Sequence, residues 1–429
     1  MRPSRSDDVM SNSTGRQTRR PGIRPGVDPD ALAGRIAVDL HVADGAVTHV
    51  EMRSSRPHLA ARLLRGQPAE FAAHAVPRLY SLCAGAHAVA AQRAHQAAIG
   101  TEPDASQVAL WTGRIEAETA RETLWRALID WPKALGELPD PVALAALRSA
   151  QAVSGSNDYL ALLGQIVERH VLGMQADRWV AQESADALRA WMASAVTPSA
   201  RFFASLGREV VLPADSRHTD SRAVASDPRE THGAIDASGA VALLPSLADE
   251  RVAASIGAAL RADPAFAQWP LWQGAPAETG ALARVYGDSR IAALRAVEGV
   301  SPRLRWAARL IELARIAAGM ASSLPRHGAL ALPDHAGQRC GLGWAETARG
   351  VLVHVVAVDS RSEDARIVDY RVLAPTEWNF HPRGVLATTL IAQRADPPEA
   401  LRERAQTLID ALDPCVPCTL HVREEVAIA

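Results

Sequence analysis

The sequence predicts a mainly α fold with small β hairpins, an α+β class, and three observations carry that expectation. Apolar residues recur at three-and-four spacing through a long block covering roughly 105–205. Two alternating runs flank Asp44-Gly45, as in a tight hairpin. Alanine, leucine and arginine are abundant while aromatics are 4% of the chain, which favours helices packed through small side chains. With 48% hydrophobic residues over 429 positions, the chain can bury a sizeable core.

Taken in order, residues 1–28 are rich in Ser, Arg, Asp, Pro and Gly and read as a disordered tail. The remainder, 29–429, reads as one domain. Ile36, Val38, Leu40 and Val42 alternate before the Asp44-Gly45 turn, and Val47, Val50 and Met52 follow it. Helical spacing returns over 57–72. The stretch from Pro77 through Cys83 to His87 runs into a helix ending near 100. Within the long block, Arg114 to Trp131 keeps helical spacing and stops at Pro132. Residues 212–234 are polar and of mixed charge, and read as a surface loop. Helices resume near 249–263 and 288–321. Val351–Val358 and Arg366–Leu373 are strand-like, with a turn at Asp359–Asp364. A last helix over roughly 397–411 delivers Cys415-Val-Pro-Cys418. No tandem repeat is visible.

Composition narrows the function classes. A net charge of −2 points neither to nucleic acid nor to an anionic membrane surface. Four cysteines in so long a chain are no secretory framework and suggest a reducing compartment. No apolar run reaches the roughly 18 residues of a spanning helix. Arg19-Arg20 is a twin arginine, but Pro21-Gly22 follows where an export signal needs an apolar run. The expected location is the cytoplasm.

Chemistry concentrates in two places. Cys415 and Cys418 form a C-x-x-C, and Pro414 and Pro417 stiffen it into a turn expected to aim both sulfurs the same way. Such a pair suits a soft or borderline metal, a redox dithiol or half of a structural zinc site. The second place is Arg78 to His87, with Cys83 between them. Cys340 lies in Gly337-Gln-Arg-Cys-Gly-Leu-Gly343, which reads as a Gly-rich turn with a structural or incidental thiol. The ten tryptophans sit at helical spacing and read as core.

Together these segments resemble the large subunit of nickel–iron hydrogenases. That family's C-terminal motif, D-P-C-x-x-C-x-x-H, is matched fully by Asp413-Pro414-Cys415-x-x-Cys418-x-x-His421. Its N-terminal motif, R-x-C-G-x-C-x-x-x-H, is matched in part by Arg78, Cys83 and His87, with Tyr80 at the first cysteine. Glu278-Thr-Gly-Ala-Leu-Ala-Arg284 is similar to E-V-G-P-L-A-R. Glu346-Thr-Ala-Arg349-Gly350 is similar to E-A-P-R-G, and Pro375-Thr376-Glu-Trp378-Asn379 to P-T-T-W-N. The motifs keep the family's order over roughly residues 30–421.

The departures set the expected function. The resemblance assigns Cys83 and Cys418 to the positions that bridge to iron, and Cys415 to one terminal nickel position. The other terminal position is Tyr80, and a phenol cannot replace a soft thiolate in a tetrathiolate nickel site. The proton-relay glutamate falls on Ala33, and the acidic ligand of a further metal falls on Ala61. Alanine can neither relay a proton nor hold a hard cation. Three losses from one catalytic set argue against hydrogen turnover. The pattern resembles the HupK/HoxV-type hydrogenase accessory proteins, large-subunit homologues with an incomplete nickel site.

That resemblance implies a non-catalytic scaffold in hydrogenase maturation. It would hold iron with its cyanide and carbonyl ligands, without nickel, through Cys83 and Cys418 with Cys415, before transfer to the hydrogenase large subunit. Site residues implied around them are His421 as a metal partner, with Arg349, His87, Arg78, Pro375 and Thr376 behind. Implied partners are maturation chaperone and iron-ligand assembly proteins, and the large subunit itself; no nucleic acid and no membrane are expected. No C-terminal processing is expected after His421. Two other readings stay open. One is a divergent hydrogenase large subunit with altered redox activity. The other is a zinc-stabilised interaction protein, with Cys83, Cys340, Cys415 and Cys418 on one metal.

Overall fold

The computed structural model describes residues 34–206 and 242–424, apart from 58, 155–157, 321–323, 336, 361–363, 392 and 396. The tail expected over 1–28, Ala33, the loop expected over 212–234, part of the Asp359–Asp364 turn and residues 425–429 lie outside the described residues.

The expected hairpin is present as β1 (Ile36–Ala43) and β2 (Ala46–Ser54), antiparallel from Ile36 opposite Ser54 to Ala43 opposite Ala46. Asp44 and Gly45 both take positive φ, 51° and 73°, as a two-residue hairpin turn requires. A third strand, absent from the sequence reading, completes this sheet. Strand β7 (Cys418–Glu424) pairs with β1 in parallel, Ile36 opposite Cys418. Its side chains are half-buried or exposed with no clear alternation, so the pattern carries no strand signal. Asp39, fully buried on β1, accepts from Arg423 Nε of β7 at 2.7 Å and also pairs with Arg53 of β2.

The second sheet is a four-stranded antiparallel meander: β3 (His327–His335), β4 (Gln338–Thr347), β5 (Gly350–Val358) and β6 (Ile367–Leu373). Strands β5 and β6 fall where expected. The segment expected to be a Gly-rich turn around Cys340 is instead the start of β4, and Cys340 is buried opposite Leu332 and Ala357. The glycines serve close approach. A Cβ on Gly341 would lie 2.1 Å from the carbonyl oxygen of Ala94, and one on Gly343 2.1 Å from that of Ala90. Both carbonyls belong to the helix Ala84–Ile99, which lies on the sheet with Ala90, Ala91, Ala94 and Ala98 buried. Small residues on both elements let backbone meet backbone.

The rest is helical, as expected, except that Pro132 does not stop the long block but sits in a further helical turn, Trp131–Ala134. Helices span Leu59–Leu64, Phe71–Leu79 and Ala105–Trp125, and shorter ones continue to Ser205. Glu250–Ala262 and Ser289–Glu298 precede Pro302–Ala317, and Pro398–Leu412 comes last. The 302–317 helix is buried on nearly every face although it carries Arg305, Arg309 and Glu312. Burial of those charges requires partners. Arg305 takes Glu278 through Nε and Nη2, at 2.8 and 2.7 Å. Glu312 takes Arg284 through two bonds of 2.7 Å and Arg326 at 2.6 Å. Among the described residues no helix is long and apolar enough to cross a membrane.

Candidate functional site

The two cysteine motifs are far apart in sequence and are brought to one place by chain ends. Cys83 closes a short 3-10 turn, Ser81–Cys83, and sits at the N-terminal cap of the 84–99 helix. The carboxylate of Glu118 accepts from the Gly85 and Ala86 amides at 2.6 and 3.1 Å, satisfying that helix start. From the other side, the 398–412 helix ends at Asp413, which adopts a left-handed φ of 55°. Aspartate tolerates this conformation, and it turns the chain towards Cys415.

Cys83 and Cys415 line one cavity of about 570 Å3. Tyr80, His87, Arg56, Arg349, Pro375 and Glu377 share its wall. The Thr376 hydroxyl donates to Cys415 Sγ at 3.0 Å and accepts from the Cys415 amide at 3.3 Å. Burial pushes the Cys83 thiol well above its ordinary range, and the nearby Cys415 and Glu118 add to that. The unloaded site therefore keeps Cys83 as a thiol at neutral pH.

Cys418 is placed differently. It opens β7, packs half-buried against the main core, and is not on the cavity lining. Burial first, then Asp410, pushes its thiol up to about 12. Of the C-x-x-C, Cys415 shares the cavity lining with Cys83, and β7 pairing begins at Cys418. His421 is exposed on β7 opposite Asp39, off the cavity lining. Arg78 is exposed on the 71–79 helix, where Nη1 donates to the His74 carbonyl at 3.3 Å.

Arg349 is held by all three shorter motifs. The Thr279 amide donates to Asn379 Oδ1 at 2.9 Å, and Asn379 Nδ2 donates to the Arg349 carbonyl at 3.2 Å. The Val351 amide donates to Thr279 Oγ1 at 3.1 Å. Gly350 takes φ 132°, and a Cβ there would meet Thr279 Cγ2 at 2.5 Å. The guanidinium is buried, bonds Glu122 through Nη2 at 3.1 Å and lies 3.4 Å from Asp413 through Nε. Among the described residues its Nη1 has no hydrogen-bond partner. Burial opposes the charge, but Asp413 and Glu122 outweigh it and hold the arginine above its usual pKa. In return Asp413, despite burial, is held below the usual carboxylate range by Arg349, Arg309 and Arg126.

His87 stacks on Tyr80, with ring centroids 4.3 Å apart. Its Nδ1 lies 2.9 Å from Nε2 of His354, whose Nδ1 lies 2.5 Å from the Tyr370 hydroxyl. Burial pushes both imidazoles below their ordinary pKa, so the pair is neutral near pH 7. His354 is therefore a hydrogen-bonded core residue that steadies His87.

Among the described residues, no group of three or more His, Cys, Asp or Glu side chains gathers as a metal site. Cys340 belongs to the cluster packed between β4 and the 250–262 helix, and Cys83 to another. The four thiols expected in the zinc reading do not converge. The cavity instead offers two protein thiols beside the guanidinium groups of Arg56 and Arg349. The sequence reading missed Arg56, Glu377, Glu118 and Glu122. Glu377 was visible as the change from P-T-T-W-N to P-T-E-W-N. Arg56 had no signal, because its partner lies hundreds of residues away.

Comparison with known proteins places the chain. The family model described as nickel-dependent hydrogenase matches residues 313–421. The hydrogenase expression/formation protein HoxV of Cupriavidus necator is 33% identical, covering 96% of this chain and 97% of its own. The hydrogenase expression/formation protein HupK of Rhizobium leguminosarum bv. viciae is 30% identical, covering 91% and 97%. The solved Ni-Fe-Se hydrogenase from D. vulgaris Hildenborough superposes at 15% identity with a TM-score of 0.49, over 87% of this chain and 94% of that one. Two near-complete matches at this identity mean that the chain belongs to the HoxV/HupK family of hydrogenase expression/formation proteins, homologues of the nickel–iron hydrogenase large subunit.

Proposed function

We propose that this protein is a non-catalytic carrier in hydrogenase maturation, binding iron with its cyanide and carbonyl ligands as cargo before transfer to the hydrogenase large subunit. The observation that supports this most is the meeting of Cys83 and Cys415 in one cavity with Arg349, whose Nη1 is buried and unpartnered. Diatomic ligands fill most of an iron(II) shell, so two thiolates suffice. Cyanide nitrogen accepts hydrogen bonds, and a fixed guanidinium is a suitable donor. Thr376 steadies Cys415.

Loading requires both thiols to lose protons, and burial of Cys83 makes that costly without a metal. Uptake is therefore coupled to proton release, and a hold through two thiolates exchanges more readily than a four-thiolate cage. Tyr80 stands where a hydrogenase would place a further nickel thiolate, which supports the absence of nickel and of turnover. The partners follow from the cargo: the proteins that assemble the iron ligands, a maturation chaperone, and the large subunit as recipient. The reading places these exchanges in the cytoplasm.

The test is infrared spectroscopy with metal analysis on protein purified anaerobically from cells containing the maturation machinery. Carbonyl and cyanide stretching bands, iron and no nickel are the expected result. Bands lost in Cys83→Ser and Cys415→Ser would assign the cavity thiols. Zinc without diatomic bands would overturn the carrier reading.

A further inference from the structure

The cavity carries a second guanidinium, on a segment that none of the matched motifs covers. Arg56 follows β2 and lines the same wall as Cys83, Cys415 and Tyr80. Its Nη1 alone donates to both oxygens of Glu377, at 2.8 and 3.0 Å. The side chains are only 13% and 12% exposed. Nε and Nη2 of Arg56 have no hydrogen-bond partner among the described residues.

That contact is unusual for a buried arginine–carboxylate pair. The favoured geometry uses two parallel N–H donors on two oxygens. Arg284 shows it here, with Nε and Nη2 on Glu312. Arg56 is bound end-on, through one nitrogen, and its two-donor edge is left open. The groups whose charge bears on it include Cys415, Glu377, Tyr80 and Cys83, so this cation stands among the cavity thiols. Cargo with two cyanides on iron(II) and two protein thiolates carries a net charge of −2. Arg349, already facing Glu122 and Asp413, does not offset that charge by itself.

We propose that Arg56 is a specificity-determining residue of the cargo site, presenting its open guanidinium edge to the anionic ligands of the metal group while Glu377 competes for it. The proposal rests on the carrier reading. It selects cyanide-bearing, anionic iron over a bare cation, because a bare cation would be repelled by Arg56. Glu377 limits the strength of the hold and so keeps the cargo transferable.

The test compares Arg56→Met and Glu377→Gln in the full chain, produced with the maturation machinery. Iron per chain and cyanide-band intensity are followed over time after anaerobic gel filtration. Loss of a charged hydrogen bond should shorten the cargo lifetime about tenfold in Arg56→Met. Glu377→Gln should lengthen it. A purely structural ion pair would move both variants the same way, and that outcome overturns the proposal. Arg56→Lys, which keeps the charge and loses the two-donor edge, should fall between wild type and Arg56→Met, and covers the case in which the methionine variant does not fold. A second readout needs no cargo: the alkylation rate of the cavity thiols by iodoacetamide at fixed pH. It should fall in Arg56→Met and rise in Glu377→Gln, and equal rates would overturn the proposal. Wild type without diatomic bands would remove the carrier reading, while the alkylation rates would still decide whether Arg56 acts on the thiols.

Discussion

Two buried arginines on neighbouring motifs behave in opposite ways. Arg284 uses every guanidinium nitrogen: Nε and Nη2 on Glu312, Nη1 on Glu346, each at 2.7 Å. Among the described residues, Arg349 makes one side-chain hydrogen bond, to Glu122, and keeps a buried Nη1 without a partner. Both residues are nearly inaccessible to solvent. A saturated cation is architecture, since nothing remains for a ligand. An unsaturated buried cation on a cavity wall leaves a donor for a ligand or an ordered water. The difference separates the motif residues that build the fold from those that face the cavity.

The comparison breaks if the two regions respond alike. The largest effect is expected at the saturated network. Glu312→Ala leaves Arg284 and Arg326 without their shared carboxylate and should cost about 3–5 kcal/mol in denaturant unfolding of the unloaded protein. A loss under about 1 kcal/mol would mean the network is not what holds the 302–317 helix.

Acid exposes the same network. Burial alone would raise Glu312, but Arg284 and Arg326 pull it from 4.5 down to about 2. A folded pKa below the unfolded one contributes stability above about 4.5, and that contribution is lost as the pH falls towards about 2. Unfolding midpoints measured across this window should decline, and the decline should be shallower in Glu312→Gln.

Arg349→Lys sharpens the contrast at the cavity. It keeps the positive charge facing Glu122 and Asp413, so unfolding should shift by about 1 kcal/mol or less, while retained iron falls about tenfold because the planar donor is gone. A variant that unfolds but still loads would reverse the assignment.

The smallest effect is expected from Cys418→Ser, compared with Cys415→Ser by the same infrared bands. Cys415 is on the cavity wall and Cys418 is not, so the first substitution should leave most of the cargo and the second should remove it. Equal loss would mean that the 414–418 turn re-forms on loading and brings in the position that the hydrogenase motif assigns to the iron bridge.

Much of this was legible because local pattern and local structure agree. The Asp44-Gly45 turn, the long helical block and the run Val351–Val358 announce themselves by period. The meeting of Cys83 with the C-terminal motif followed from motif resemblance. What stayed hidden depends on distant packing. Gly341 and Gly343 look like turn residues until the 84–99 helix is laid against them. Strand β7 has no buried face to alternate and exists because β1 offers a free edge. Arg56 has meaning only beside Glu377 and the thiols. Conversely, Arg78 and His421 carried motif weight and stand exposed, off the cavity lining.

The parallel pairing of β1 with β7 also sets an order of events. One strand emerges early in synthesis and its partner nearly last, and contacts of such sequence separation form late. Cys83 waits for Cys415 in the same way. The earlier helices and the meander sheet can assemble while the cavity still lacks a wall. The cavity is then complete only in a chain whose synthesis and folding are finished, and truncated or stalled chains present Cys83 without Cys415.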